Sequence, residues 1–140
     1  MIRPCRARVA PDFANLTELE RFVLACPVLD AGERNRALIV VTEYFDNIVM
    51  HGQCPPGSLV SVRVSRTRPL SARVPGSARV LISYRTPTFA RMVATHGTAK
   101  PYFDPASRRY RGLGLLMCRN LAKDVSYRKG LFKGVIRIIL

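Results

Sequence analysis

A chain of 140 residues with 48% hydrophobic content is most economically one domain, 1–140, able to bury roughly two thirds of the surface its unfolded form would expose. That balance excludes a disordered chain, and the longest apolar runs, Leu38 to Val41 and Ile138 to Leu140, are too short to span a bilayer. The unusual global feature is charge: 23 Lys and Arg stand against 9 Asp and Glu, a net +14, which attracts phosphates, acidic partners and polyanions without specifying one.

In chain order, Cys5 to Ala10 reads as a short edge strand ended by Pro11. Asp12 is placed to cap a helix running to about Cys26, with Phe13, Leu16, Leu19 and Val23 near one face. Asp30 followed by Glu33 has the form of a capping box, and the helix it opens continues to about Gly52, with Pro55 and Pro56 beyond. Val60, Val62 and Val64 alternate with Ser61, Arg63 and Ser65, as a strand with one covered face requires. The turn-rich link RTRPLSARVPGS leads to a second alternating strand, Ala78 to Arg85.

Thr86 to Arg111 has little periodicity, three prolines and one glycine, and is expected to be a long loop with a helical turn around Phe89 to Ala94. A third helix is expected from Gly112, with Leu113, Leu116, Met117 and Leu121 on one side. Two strands close the chain, Val125 to Arg128 and Gly134 to Leu140, joined by a tight turn containing Gly130. The order β-α-α-β-β-loop-α-β-β implies an α+β fold, a layer of helices on one face of a mostly antiparallel sheet. The N-terminal charge has no apolar segment behind it, so no signal peptide is expected. The scattered Cys5, Cys26, Cys54 and Cys118 read as reduced thiols of a cytoplasmic protein, without zinc or disulfides.

Two elements carry chemistry. On the second helix Glu43 and Asn47 lie one turn apart, beside the apolar arc of Ala37, Val41, Tyr44, Phe45 and Ile48. A carboxylate and an amide so placed suit a hard cation and its water, and the carboxylate can orient or deprotonate a nucleophile. The same pair also suits the solvated side of any amphipathic helix. Downstream, Arg111-Gly112-Leu113-Gly114-Leu115 follows Arg108 and Arg109. Glycines at a helix start let backbone N–H groups approach a phosphate, and the arginines add charge and bidentate donors. A close-packed loop-to-helix junction would also place glycines there.

Taken in order, the pieces are more specific. The run TEYFDNIVMHG resembles the N-box of the Bergerat-fold (GHKL) ATPases, and His51-Gly52 after the asparagine is typical of their anti-sigma-factor serine-protein kinase branch. RGLGLLMCRNLAKDVSYRKG resembles that branch's closing segment, with Gly112, Gly114, Leu115, Asp124, Val125 and Tyr127 keeping the pattern. The resemblance implies a two-layer α/β sandwich of the histidine-kinase-like ATPase type that binds ATP and Mg²⁺. It implies Glu43 as catalytic base and Asn47 as Mg²⁺ ligand. It also implies His51, Arg111, Gly112, Leu113, Gly114 and Leu115 around the nucleotide.

The implied role is transcription regulation by partner switching: phosphorylating an anti-sigma-factor antagonist, sequestering a sigma factor, with a possible homodimer and no membrane. One departure stands out. Where the family has Asp-x-Gly, whose aspartate binds the adenine amino group, this chain has Tyr84 or Arg85 and then Thr86, keeping only the following Phe89. A pseudo-kinase that keeps the fold as a protein-interaction module is therefore the alternative. A basic nucleic-acid-binding domain is a further one, resting on charge alone and lacking interleaved aromatics.

Overall fold

The computed structural model describes residues 2–90, 102–106, 108–111 and 113–140. Its elements are β1 (Cys5–Val9), α1 (Leu16–Leu24), α2 (Ala31–His51), β2 (Val60–Arg66), β3 (Ala78–Arg85), β4 (Tyr102–Asp104), β5 (Arg109–Arg111), α3 (Leu113–Leu121), β6 (Asp124–Gly130) and β7 (Lys133–Ile139). Five strands form one antiparallel sheet in the order β1-β2-β3-β7-β6, and β4 and β5 form a separate two-stranded hairpin. The helices cover one sheet face, so the architecture is the α+β sandwich that the element order implies.

Alternation decides which face is covered. Val60, Val62 and Val64 of β2, Val80 and Ile82 of β3, and Ile136 and Ile138 of β7 are fully buried. Registers such as Val62↔Ile82 and Ile82↔Ile136 stack them into continuous apolar rows. Against those rows α2 packs Ala37, Val40, Val41, Tyr44, Phe45 and Ile48, all at most 1% exposed. Burying each such large side chain contributes about 1.5–3 kcal/mol.

The start of α2 is fixed by its capping box. Asp30 Oδ1 accepts from the Glu33 N–H at 2.8 Å, and Glu33 Oε2 accepts from the Asp30 N–H at 2.9 Å. Glu33 also accepts from Arg66 Nη2 at 2.6 Å, tying this helix end to β2. Among the described residues no helix is long and apolar enough to cross a membrane.

Four sequence expectations are corrected. Asp12 does cap, accepting from the Ala14 N–H at 2.9 Å, but it caps a 3-10 turn, Phe13–Asn15, and α1 starts only at Leu16. That leaves Phe13 45% exposed. The expected loop from Thr86 to Arg111 contains the β4–β5 hairpin, whose three-residue strands are too short to show a period. Of the helical turn expected at Phe89 to Ala94, Phe89 and Ala90 are helical and the rest lies outside the described residues. Helix α3 turns Leu115 and Cys118 into the core, with Leu121 partly buried against it, and leaves Met117 43% exposed. The segment is apolar almost all round, so its sequence does not select a face. Finally, the β6–β7 turn is made by Leu131 and Phe132, with Phe132 at φ +58°, while Gly130 pairs with Lys133 inside the ladder.

Candidate functional site

The seam between α2 and α3 brings the two chemical elements of the sequence together. Glu43 is half-buried on the side of α2 that faces α3, and Gly114 opposes it so closely that a Cβ there would lie 1.9 Å from Glu43 Oε2. Only a glycine allows that approach of carboxylate to helix start. Cys118, one turn further along α3, lies behind the same carboxylate. Burial pushes its thiol up to about 12, and the Glu43 charge pushes in the same direction. Glu43 itself titrates above the usual carboxylate range, chiefly because burial disfavours its charge and secondly because Asp46 lies nearby. A carboxyl raised in this way suits proton transfer near neutral pH better than an ordinary one.

Asn47 sits one turn on. Its Nδ2 donates to the Glu43 carbonyl at 2.9 Å, which holds the amide along the helix. The side-chain oxygen has no hydrogen bond among the described residues, so it is available to a hard cation. His51, a further turn along, is exposed at the last position of α2. Its carbonyl accepts from Thr88 Oγ1 at 3.2 Å.

The remaining residues of the sequence assignment divide. Leu115 is 8% exposed and part of the core, so its side chain packs. Arg111 and Leu113 are placed by their backbones, Arg111 opposite Tyr102 in the hairpin and Leu113 at the first position of α3. Gly112 lies outside the described residues. The described residues on either side are the paired strand β5, ending at Arg111, and the start of α3 at Leu113, whose second residue Gly114 lies against Glu43.

The far end of α2 meets the end of β3. Thr86 is buried and donates to the Gly52 carbonyl, while Thr88 N–H donates back to Thr86 Oγ1 at 3.0 Å. These two threonines clamp the strand end onto the helix end. The sequence reading noted Thr86 only as a replaced glycine and gave Thr88 no role. The Thr-x-Thr spacing is the one local hint of such a turn.

Alternation along β3 separates the two residues that follow Ser83. Tyr84 turns inward, 2% exposed, and its ring meets Phe89 edge-on at 6.1 Å and 71°. Arg85 points to the opposite face and is exposed. Gly134, opposite Tyr84 in β7, admits the Phe89 ring, since a Cβ there would lie 2.2 Å from Phe89 Cδ2. Two aromatic rings thus fill the space beside the threonine clamp. Nearby, the hydroxyls of Tyr44 and Tyr127 meet at 2.9 Å and join α2 to β6.

The family model described as histidine kinase-like ATPase domain matches residues 9–140. A comparison with curated proteins returned no match.

Proposed function

The chain belongs to the histidine kinase-like ATPase domain family, and from that premise we propose that it binds Mg²⁺ and an adenine nucleotide as a kinase-like regulator of the anti-sigma-factor type. The single observation that carries the reading is the meeting of Glu43, Asn47 and Gly114 at one seam. A carboxylate of raised pKa, an amide oxygen without a partner among the described residues and a glycine helix start fit the phosphate and metal half of a nucleotide site. When bound, Mg²⁺ would supply charge neutralisation on the phosphates. Asn47 Oδ1 would hold it, the backbone at Gly114 would approach the phosphates, and Glu43 would accept the proton of an attacking serine hydroxyl.

In this reading the protein acts in the cytoplasm. Its partners are an anti-sigma-factor antagonist carrying the serine, or a sigma factor held by protein contact, with a homodimer as the assembly. One observation favours a second reading, a pseudo-kinase that works only as an interaction module. Where the resemblance expects a carboxylate for the adenine amino group, Tyr84 is packed against Phe89 and offers none. A lost hydrogen bond to a charged group costs roughly 1.5–3 kcal/mol.

Calorimetric titration of the full chain with ATP, ADP and GTP, with and without Mg²⁺, tests the proposal. Adenine-nucleotide binding in about the micromolar range that needs Mg²⁺, and loses that need in N47A, is the expected result. No binding up to about millimolar nucleotide would overturn it and leave the interaction module.

A further inference from the structure

The sheet face turned away from the helices is built from the residues that alternate with the core, and arginine dominates it. One cross-strand row reads Arg6, Arg63, Leu81, Arg137, Ser126 and the next Arg8, Ser61, Ser83, Val135, Arg128. Arg85 and Lys133 pair at the end of the β3–β7 ladder on the same face. Among the described strand residues of this face the carboxylate is Asp124, which lies 3.5 Å from Arg137. Among the described residues none of Arg6, Arg8, Arg63, Arg85 and Lys133 is paired with an acid. Arg6 and Arg63 stand directly opposite each other, an arrangement that destabilises an antiparallel pair. Local conflicts of this kind concentrate at functional or strained sites.

The face is also concave. A depression of about 720 Å³ is walled by the Pro55–Leu59 loop and lined by those five cations, with the small side chains of Ser61 and Ser83 between them. Apolar groups share this lining: Leu59, 51% exposed, with Leu81 and Val135.

We propose that this depression is a docking site for an acidic polypeptide segment that carries apolar side chains between its carboxylates. Carboxylates would meet the guanidinium groups, which bind them in a bidentate fork, and the apolar side chains would bury Leu59, Leu81 and Val135. Nucleic acid fits less well. Its backbone offers nothing to the apolar lining, and the one aromatic residue of the depression among the described residues, Tyr84, has its ring buried against Phe89 and cannot stack on a base. The site lies on the opposite face of the sheet from Glu43, so the inference does not rest on nucleotide binding.

The test is fluorescence anisotropy at physiological salt with the full chain and two labelled synthetic peptides of equal length, one of Glu, Leu and Ser and one of Glu and Ser. Two charge reversals are compared: R8E with R63E on the face, and R21E with R73E, exposed positions away from it. R63E places a carboxylate opposite Arg6, which favours the fold, and circular dichroism checks it. The Glu-Leu-Ser peptide should bind at least about fivefold tighter than Glu-Ser, and the face reversal should weaken it about tenfold while the distant one changes it less than about twofold. Nucleotide titrations should be the same in both doubles. Equal losses in the two doubles, equal binding of the two peptides, or tighter binding of a DNA duplex or of phosphatidylglycerol vesicles would overturn the proposal.

Discussion

Gly114 and Gly134 are both positions where a neighbouring side chain occupies the space of a Cβ, yet the neighbours differ in kind. At Gly114 the intruder is the far end of a carboxylate, Glu43 Oε2, and at Gly134 it is the ring of Phe89. A carboxylate end can swing away at small cost to packing, whereas a buried ring held edge-on to Tyr84 has nowhere to go. The first glycine thus serves the placement of a reactive group, and the second serves the filling of a core. The two halves of the site follow the same division: the α2–α3 seam presents polar groups, and the β3 end is packed with aromatics.

Gly134→Ala attacks the packed half and carries the largest expected effect. The methyl group must displace the Phe89 ring, and overpacking of this kind costs about 1–3 kcal/mol. Urea denaturation would register it as a lower midpoint with an unchanged slope. A loss below about 0.5 kcal/mol, the range of an indifferent surface substitution, would break the comparison by showing that the ring yields as easily as the carboxylate does.

Gly114→Ala is the matching change in the polar half, with the opposite signature. Alanine is favoured over glycine in a helix by up to about 1 kcal/mol, and the displaced atoms belong to a flexible side chain. Stability should stay within about 1 kcal/mol of the parent, while Mg²⁺-dependent nucleotide affinity falls about tenfold, the scale of a misplaced supporting group at a metal site. Calorimetry and denaturation on one sample separate the two effects. A large loss of stability with affinity retained would assign Gly114 to packing after all.

The polar half was the more legible in the sequence, and the reason is locality. The capping box of Asp30 and Glu33, the one-turn spacing of Glu43 and Asn47, and the stop at Gly52 are all properties of neighbouring residues on one helix. So is the alternation that placed β2 and β3. The packed half depends on distant pairs instead: Thr86 reaches the carbonyl of Gly52 across 34 positions, and Phe89 needs the missing side chain of Gly134. No local pattern signals such meetings. The face of α3 was misjudged because a nine-residue helix with almost no polar positions, LGLLMCRNL, has several apolar stripes, and only the contact with α2 chooses among them. The basic face lay between the two cases. The alternation of Arg63 with the valines was plain, but the opposition of Arg6 to Arg63 follows from strand register.

Glu43→Gln sharpens the comparison with the smallest effect, read through pH. Burial and the charge of Asp46 hold the Glu43 carboxyl above its ordinary value of 4.5, so the folded chain binds this proton more tightly than the unfolded chain does. By linkage, the stability this group contributes is fully present below its ordinary value and is lost as pH rises through the raised one. At neutral pH the charged, half-buried carboxylate is therefore a cost that the amide does not carry. E43Q should melt at a higher temperature than the parent at pH 7, with the difference shrinking steadily as pH falls toward the ordinary value. Thermal melts over that range would show it. A difference independent of pH would mean that the carboxyl is solvated as at an open surface, and the contrast between a strained polar seam and a relaxed aromatic one would lose its electrostatic half.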